Sequence, residues 1–311
     1  MAVTNKGRSL TISEDAVAAG NFERAAMDWD PIAPTHAITS VRAIFAFARP
    51  LSSKVLLSAQ ASVQGRQSEL GFDTIAPAPE EAGPRFEFYI GPPGESPPPP
   101  PPLEGKIFQR TAPLGTDVPH VRRIEEVGLR ADSFGYVVEE YDRWTGFEER
   151  IRDVFTEPLK SALAVEQVGT IDLEYRDLFV FKGLEEHYDR LSLFRKAFAH
   201  VPRNAVHPRR RWDIVLNWED EAFPVEGWIA LHNRRYMGVQ VAVEGENVPL
   251  PGLMMIGAIS ARSGNVEVGD VDPDSAFNIL RNAHDVLNQA LADTLTDEMG
   301  KRLSLVPNSD I

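Results

Sequence analysis

The chain has 311 residues, 43% of them hydrophobic and 25% charged, which is enough apolar side chain to bury a sizeable core in one large or two modest domains. Its net charge of -14 argues against a general nucleic-acid binder, which presents a basic surface to phosphate. There is no cysteine, which removes disulfides, iron–sulfur clusters, thiolate-bound zinc and a thiol nucleophile.

Residues 1–35 read as an arm. They have no apolar core of a signal peptide, and no run in the chain approaches the roughly 18 apolar residues of a membrane span, so a soluble cytoplasmic protein is expected. The first strand is expected over Ala37–Ala48, where Ile44, Phe45 and Phe47 make a nearly continuous apolar run. Residues 51–64 predict a helix with Val55, Ala59 and Val63 on one face. Phe86, Phe88 and Ile90 alternate with polar residues as in a strand. The six prolines Pro97–Pro102 follow, spanning about 19 Å in polyproline II. They read as a stiff exposed spacer leading to a strand at Lys106–Arg110, the alternative being a docking ligand for an aromatic groove.

The clearest pattern runs from Arg123 to Phe181. Val127, Leu129 and Ala131 lead through Asp132–Gly135 to Tyr136–Val138, which predicts a hairpin. Thr145 and Glu148 have capping-box spacing before a helical face of Phe147, Ile151, Val154, Phe155, Leu159 and Ala162, interrupted by Pro158. Val168–Phe181 reads as a strand. Its inward parity switches between Tyr175 and Leu178, which calls for a bulge near Arg176–Asp177. Residues 184–210 read as a connector with a helix around Tyr188–Ala199. Strands are expected at Trp212–Trp218, Gly227–His232, Tyr236–Val243 and Met254–Ala261, with residues 232–236 as a turn. Asp272 and Pro273 then suit the N-cap and first position of a helix reaching Met299.

These elements predict an α+β fold of antiparallel sheets with long amphipathic helices packed on one face. The expected organisation is an arm (1–35), a first lobe (36–183), a basic connector (184–210), a second lobe (211–300) and a tail (301–311). Each lobe ends in antiparallel strands followed by a long helix.

Tyr141-Asp-Arg-Trp144-Thr-Gly-Phe147, the strand after its helix, the early strand AITSVRAIFAFA and the final helix together resemble an uncharacterised bacterial protein family of sporadic distribution among genomes. The resemblance spans about residues 30–300. Glu174 stands where that family favours Arg, and Asp177 where it favours Asn, which marks these two as variable binding positions. The family has no established activity to carry over, and its patchy distribution implies accessory genes, including defence-type cassettes.

The most unusual composition lies between Arg190 and Arg211: seven basic residues and no acid. Within it Arg195, Lys196, Arg209, Arg210 and Arg211 are candidates for an anion or an acidic partner. The competing reading is a solvated linker paired with the chain's own carboxylates. Asp270, Asp272 and Asp274 open like a calcium loop, but Ser275 and Arg281 fail its later positions, and no metal site is expected. Glu139 and Glu140 are adjacent on a strand and point apart. None of the seven histidines has metal-ligand spacing, and His284 reads as a surface residue. Tyr141, Trp144 and Phe147 read as core. No local signature of α/β-hydrolases, P-loop NTPases or Rossmann dinucleotide sites occurs. No cofactor is expected, and catalysis is disfavoured. The leading expectation is a non-catalytic protein that binds a protein partner or itself. The alternative is an enzyme or sensor that holds a phosphate-bearing small molecule or nucleotide at the basic segment.

Overall fold

The computed structural model describes residues 28–33, 36–78, 105–113, 121–195, 212–220, 223–243, 246, 248–264 and 271–305. The expected strand at Arg85–Ile90, the proline tract, Lys196, Arg209–Arg211 and most of the loop at 244–247 lie outside these residues.

One mixed α+β assembly emerges, built on a large antiparallel sheet. Its strands are β1 (Trp29–Pro31), β2 (Ile38–Phe47), β3 (Thr74–Pro77), β4 (Gly105–Pro113), β5 (Val121–Arg130), β6 (Ser133–Val138), β7 (Val168–Phe181), β8 (Asp213–Asp220), β9 (Trp228–Val241) and β10 (Leu250–Ser263). The described helices are α1 (Ser53–Gly65), α2 (Trp144–Leu163), α3 (Pro273–Thr294) and α4 (Asp297–Arg302). None is long and apolar enough to cross a membrane. The strand order is β3-β4-β5-β6-β2-β7-β10-β9-β8, with β1 also on β7. β7 pairs with β10 from Thr170↔Arg262 to Val180↔Gly252, so the sheet crosses the 184–210 division without an edge.

Side-chain parity fixes what each face of the sheet does. Val41, Ala43 and Phe45 of β2, Phe134 and Tyr136 of β6, and Ile171, Leu173 and Tyr175 of β7 are buried on one side. They share a core with Leu56 of α1, Ile151 and Phe155 of α2, and Phe277 and Leu280 of α3. Phe155 sits edge-on to Phe45 at 5.9 Å and stacks on Phe134 at 6.1 Å, arrangements that add to area burial alone. A second cluster joins Trp29, Phe179, Phe181, Leu193, Phe194, Tyr236, Leu253, Leu295 and Met299.

Several sequence expectations are corrected by this packing. Trp29–Pro31, assigned to an arm, pairs with β7 at Phe179–Phe181. Arg302 of α4 donates to the Trp29 carbonyl at 2.7 Å, so the end of the last helix closes onto the first strand. The bulge lies on β2 rather than β7. Thr39 is the extra residue opposite Arg176–Asp177, and its hydroxyl donates to the Arg176 carbonyl at 3.0 Å. β7 keeps continuous pairing with β10 there, and its parity breaks because residues 177–181 are covered on both sides. Residues 232–236 are not a turn. β9 runs unbroken, with Trp228, Ala230, His232, Arg234 and Tyr236 all buried at one parity.

Arg143, with no side-chain cap, precedes α2, which starts one residue before the expected Thr145 cap. Glu148 is drawn away from that cap to Arg152, at 3.2 Å, and to Arg281 of α3. Pro158 is accommodated within a single uninterrupted helix. The final helix does cap at Asp272, whose carboxylate accepts from Ser275 N at 2.7 Å. It ends at Thr294, because Leu295 pairs with Phe194 and Thr296 then caps α4. The expected connector helix is instead two short 3-10 turns, Glu185–His187 and Arg190–Leu193, followed by that bridge, as far as residue 195.

One buried charge cluster was not anticipated. Glu125 on β5 is fully buried and receives Arg150 of α2 at 2.7 Å, Arg110 of β4 at 2.8 Å and the Tyr136 hydroxyl at 2.9 Å. Removing Glu125 leaves the partly exposed Arg110 and Arg150 and the buried Tyr136 hydroxyl without their shared acceptor. Glu125→Ala is therefore expected to lower stability by about 1–3 kcal/mol, with Glu125→Gln costing less. Urea unfolding measures this, and a loss under about 1 kcal/mol would show that water satisfies both arginines.

Candidate functional site: a cavity over Gly257

The strand registers place two rows of inward side chains beside each other. One row is Tyr175 on β7, Gly257 on β10 and Arg234 on β9. The next is Asp177, Met255 and Tyr236. Because Gly257 has no side chain, a gap opens between Tyr175 and Arg234. A Cβ there would meet Leu287 Cδ2 of α3 at 3.4 Å. α3 roofs the gap with Leu287, Asn288 and Leu291, and Ile38 stands at its side. The resulting cavity is about 30 Å³.

Its polar groups are deeply buried. Asp177 is 4% exposed and Arg234 9%. Arg234 donates to the Ala290 carbonyl at 3.1 Å and to Thr294 Oγ1 at 3.3 Å, while its Nε has no partner. Asp177 Oδ1 is likewise buried without a hydrogen bond. Burial raises the Asp177 carboxyl to about 7, against a smaller opposing pull from Arg234.

Tyr175 and Asn288, on one wall, belong to a hydrogen-bonded chain that runs behind it. Tyr141 bonds the Tyr175 hydroxyl, Tyr175 meets His284 Nδ1 at 2.8 Å, and His284 Nε2 meets Asn288 Nδ2 at 3.3 Å. Trp144 stacks on His284 with ring centres 4.1 Å apart. Burial pushes the Tyr141 hydroxyl up to about 12 and His284 down to about 4, so the wall is neutral near pH 7. His284 is thus a core residue, not the surface residue its neighbour Asp285 suggested. Tyr141, Trp144 and Phe147 do join β6, α2 and α3 as core, with Trp144 and Phe147 5.3 Å apart.

Among the described residues, the positions singled out in the sequence are not brought together. Glu174 and Asp177 lie on opposite faces of β7. Glu174 bonds Arg176 at 2.9 Å on the outer side, and Asp177 lines the cavity. Arg195 is engaged within the chain, donating to the Leu295 carbonyl at 3.0 Å and pairing with Asp297 at 2.9 Å. Lys196, Arg209, Arg210 and Arg211 lie outside the described residues. Glu139 and Glu140 pair separately with Arg123 and Arg122. Asp274 pairs with Arg152. No group of three metal-binding side chains occurs among the described residues.

Sequence reading missed Arg234, Gly257, His284 and Asn288. The alternation Trp228, Ala230, His232, Arg234, Tyr236 held the signal for Arg234, since a single continuous strand places all five inward. For Gly257 and Asn288, only the cross-strand register and the seating of α3 supply it. Neither protein-family models nor curated proteins yield a match to this chain.

The two shifted groups have opposite linkage to stability. The Asp177 carboxyl ordinarily titrates near 3.8, so between pH 3.8 and about 7 the folded state holds the extra proton and stability falls as pH rises. His284 ordinarily titrates near 6.5, so between about pH 4 and 6.5 the unfolded state holds the extra proton and stability rises with pH. Asp177→Asn is expected to match wild type near pH 4 and exceed it at pH 8 by up to about 4 kcal/mol, the equivalent of about three pH units. Urea unfolding at both pH values measures this. Equal stabilities at pH 8 would place the Asp177 titration elsewhere.

Proposed function

We propose that this is a non-catalytic cytoplasmic protein of a bacterial accessory or defence-type cassette, whose helices cover one face of the sheet and whose other face docks a protein partner. The supporting observation is the outward parity of the central strands. One row reads Arg42, Glu174, Ala258, Asn233 and Asn217, and the next reads Ser40, Arg176, Ile256, Arg235 and Val215. Leu231 and Ile229 continue the apolar positions. No side chain of these rows enters either core cluster, and Val215 is 49% and Ile229 43% exposed.

Apolar positions interspersed with arginine suit a protein interface. Nine strands at about 4.8 Å spacing make a face about 38 Å wide, and strands of about seven residues already supply the roughly 800 Å² per partner of a standard interface. The cassette assignment rests on the family resemblance at Tyr141–Phe147 and Leu173–Asp177. The lobe division at 184–210 belongs to the same reading, with β5–β6–α2 and β9–β10–α3 as comparable units. The competing phosphate-ligand reading keeps Arg209, Arg210 and Arg211 as its residues.

Co-expression with the product of the adjacent gene tests the proposal. A stoichiometric complex on size exclusion is expected, lost in the double variant Val215→Glu, Ile256→Glu and retained when Glu298 on α4 is changed to Lys. No complex, or one that survives the double variant, overturns the reading. A complex lost instead on charge reversal of Arg209, Arg210 and Arg211 moves the interface to the basic segment.

A further inference from the structure

The cavity over Gly257 joins three observations that the docking proposal does not use. Asp177 and Arg234 line it from adjacent rows, yet no ion pair within 4.0 Å joins them. A guanidinium stays charged on burial, and an unmet donor or acceptor at this depth carries a desolvation cost. At about 30 Å³ the cavity exceeds the roughly 10–15 Å³ that a single water requires. Its polar groups are bounded by the apolar side chains of Ile38, Met255, Leu287 and Leu291.

An occupant that meets both groups must therefore offer an acceptor to Arg234 and a donor to Asp177, and be small and otherwise weakly polar. A carboxylate supplies no donor, an ammonium no acceptor. A primary carboxamide supplies both on one planar group without adding charge between a guanidinium and a carboxylate that balance once Asp177 is ionised, above about pH 7. We propose that this cavity is a binding subsite for a terminal primary carboxamide, with Arg234 donating to its oxygen, Asp177 accepting from its amide nitrogen and Gly257 providing the space. Asn288 stands beside it as a further polar contact.

Acetamide is the probe, followed by saturation-transfer NMR on the full chain at pH 8.5, where Asp177 is ionised, with acetate and N,N-dimethylacetamide as controls. Saturable binding of acetamide on the order of millimolar is expected for so small a ligand. Both controls should bind about tenfold more weakly or worse, since each lacks the donor for Asp177. Gly257→Val fills the space and should abolish binding. Should that variant fail to fold by circular dichroism, Gly257→Ala, which must displace Leu287 by only a few tenths of an ångström, and Asp177→Leu carry the same test, each weakening acetamide binding about tenfold. N-acetylglutamine methylamide distinguishes the source of the group within a positive result. Tighter binding than acetamide assigns it to a polypeptide side chain, and equal or weaker binding assigns it to a free small molecule. Water-only occupancy, seen as no saturable acetamide signal, overturns the proposal. So does equal binding of all three probes, or binding unchanged in the folded variants.

Discussion

The pairing of β7 on both edges is the constraint on which the rest of the molecule depends. On one edge β7 holds β1 and β2, end to end, and Thr39 forms a bulge within β2 opposite Arg176–Asp177. On the other edge it holds β10. Through these two ladders the early strand, the β5–β6 hairpin and the late β9–β10 strands become one sheet. A strand paired on both edges leaves few backbone groups for water along its length, and its C-terminal end, residues 177–181, is buried on both faces as well. The near-continuous apolar run Leu178–Phe181 is the sequence's response to that position.

α3 reads the same strand from above. Tyr175 reaches His284, Trp144 stacks behind that imidazole, and Glu148 pairs with Arg281. Three elements distant in sequence are thereby locked by a neutral hydrogen bond, a ring stack and an ion pair. The arrangement explains why α2 begins at Trp144 rather than at a Thr145 cap. Tertiary stacking of the indole outweighs a local cap, which contributes about 1 kcal/mol. It also explains why the cavity persists. α3 is held by His284 on one side and by Arg234 on its last turn, and Gly257 between them offers nothing to fill the gap.

The molecule thus separates two kinds of buried polarity. Glu125 with Arg150, Arg110 and Tyr136 is a satisfied cluster, joining β5 to α2 and β4. Asp177 Oδ1 and Arg234 Nε stay unmet beside a cavity, although Arg234 also bonds Ala290 and Thr294. Satisfied networks hold a fold together, whereas unmet groups at a cavity are where a ligand gains most from binding.

The sequence by itself determined the elements whose pattern is local. The strand near Ala37–Ala48, the first helix, the hairpin at Val127–Val138, the face of Phe147, Ile151 and Phe155, and the Asp272–Pro273 cap all follow from period, turn chemistry or capping within a few residues. Tertiary structure alone decided the properties set between strands. The basic run that drew attention as a site has Arg195 tied to Leu295 and Asp297. Asp177, noticed in the sequence only as a departure from the pattern of the family it resembles, lines the cavity. Residues 232–236 look like a turn because they are polar, and they become mid-strand because His232 and Arg234 find partners across the sheet and beneath α3. Polarity is a property of one residue and is legible in order along the chain. Whether a polar residue is solvated or buried depends on its register with strands far away in sequence, as Asp177 pairs with Ile38 on one side and Met255 on the other, and no local window contains that information.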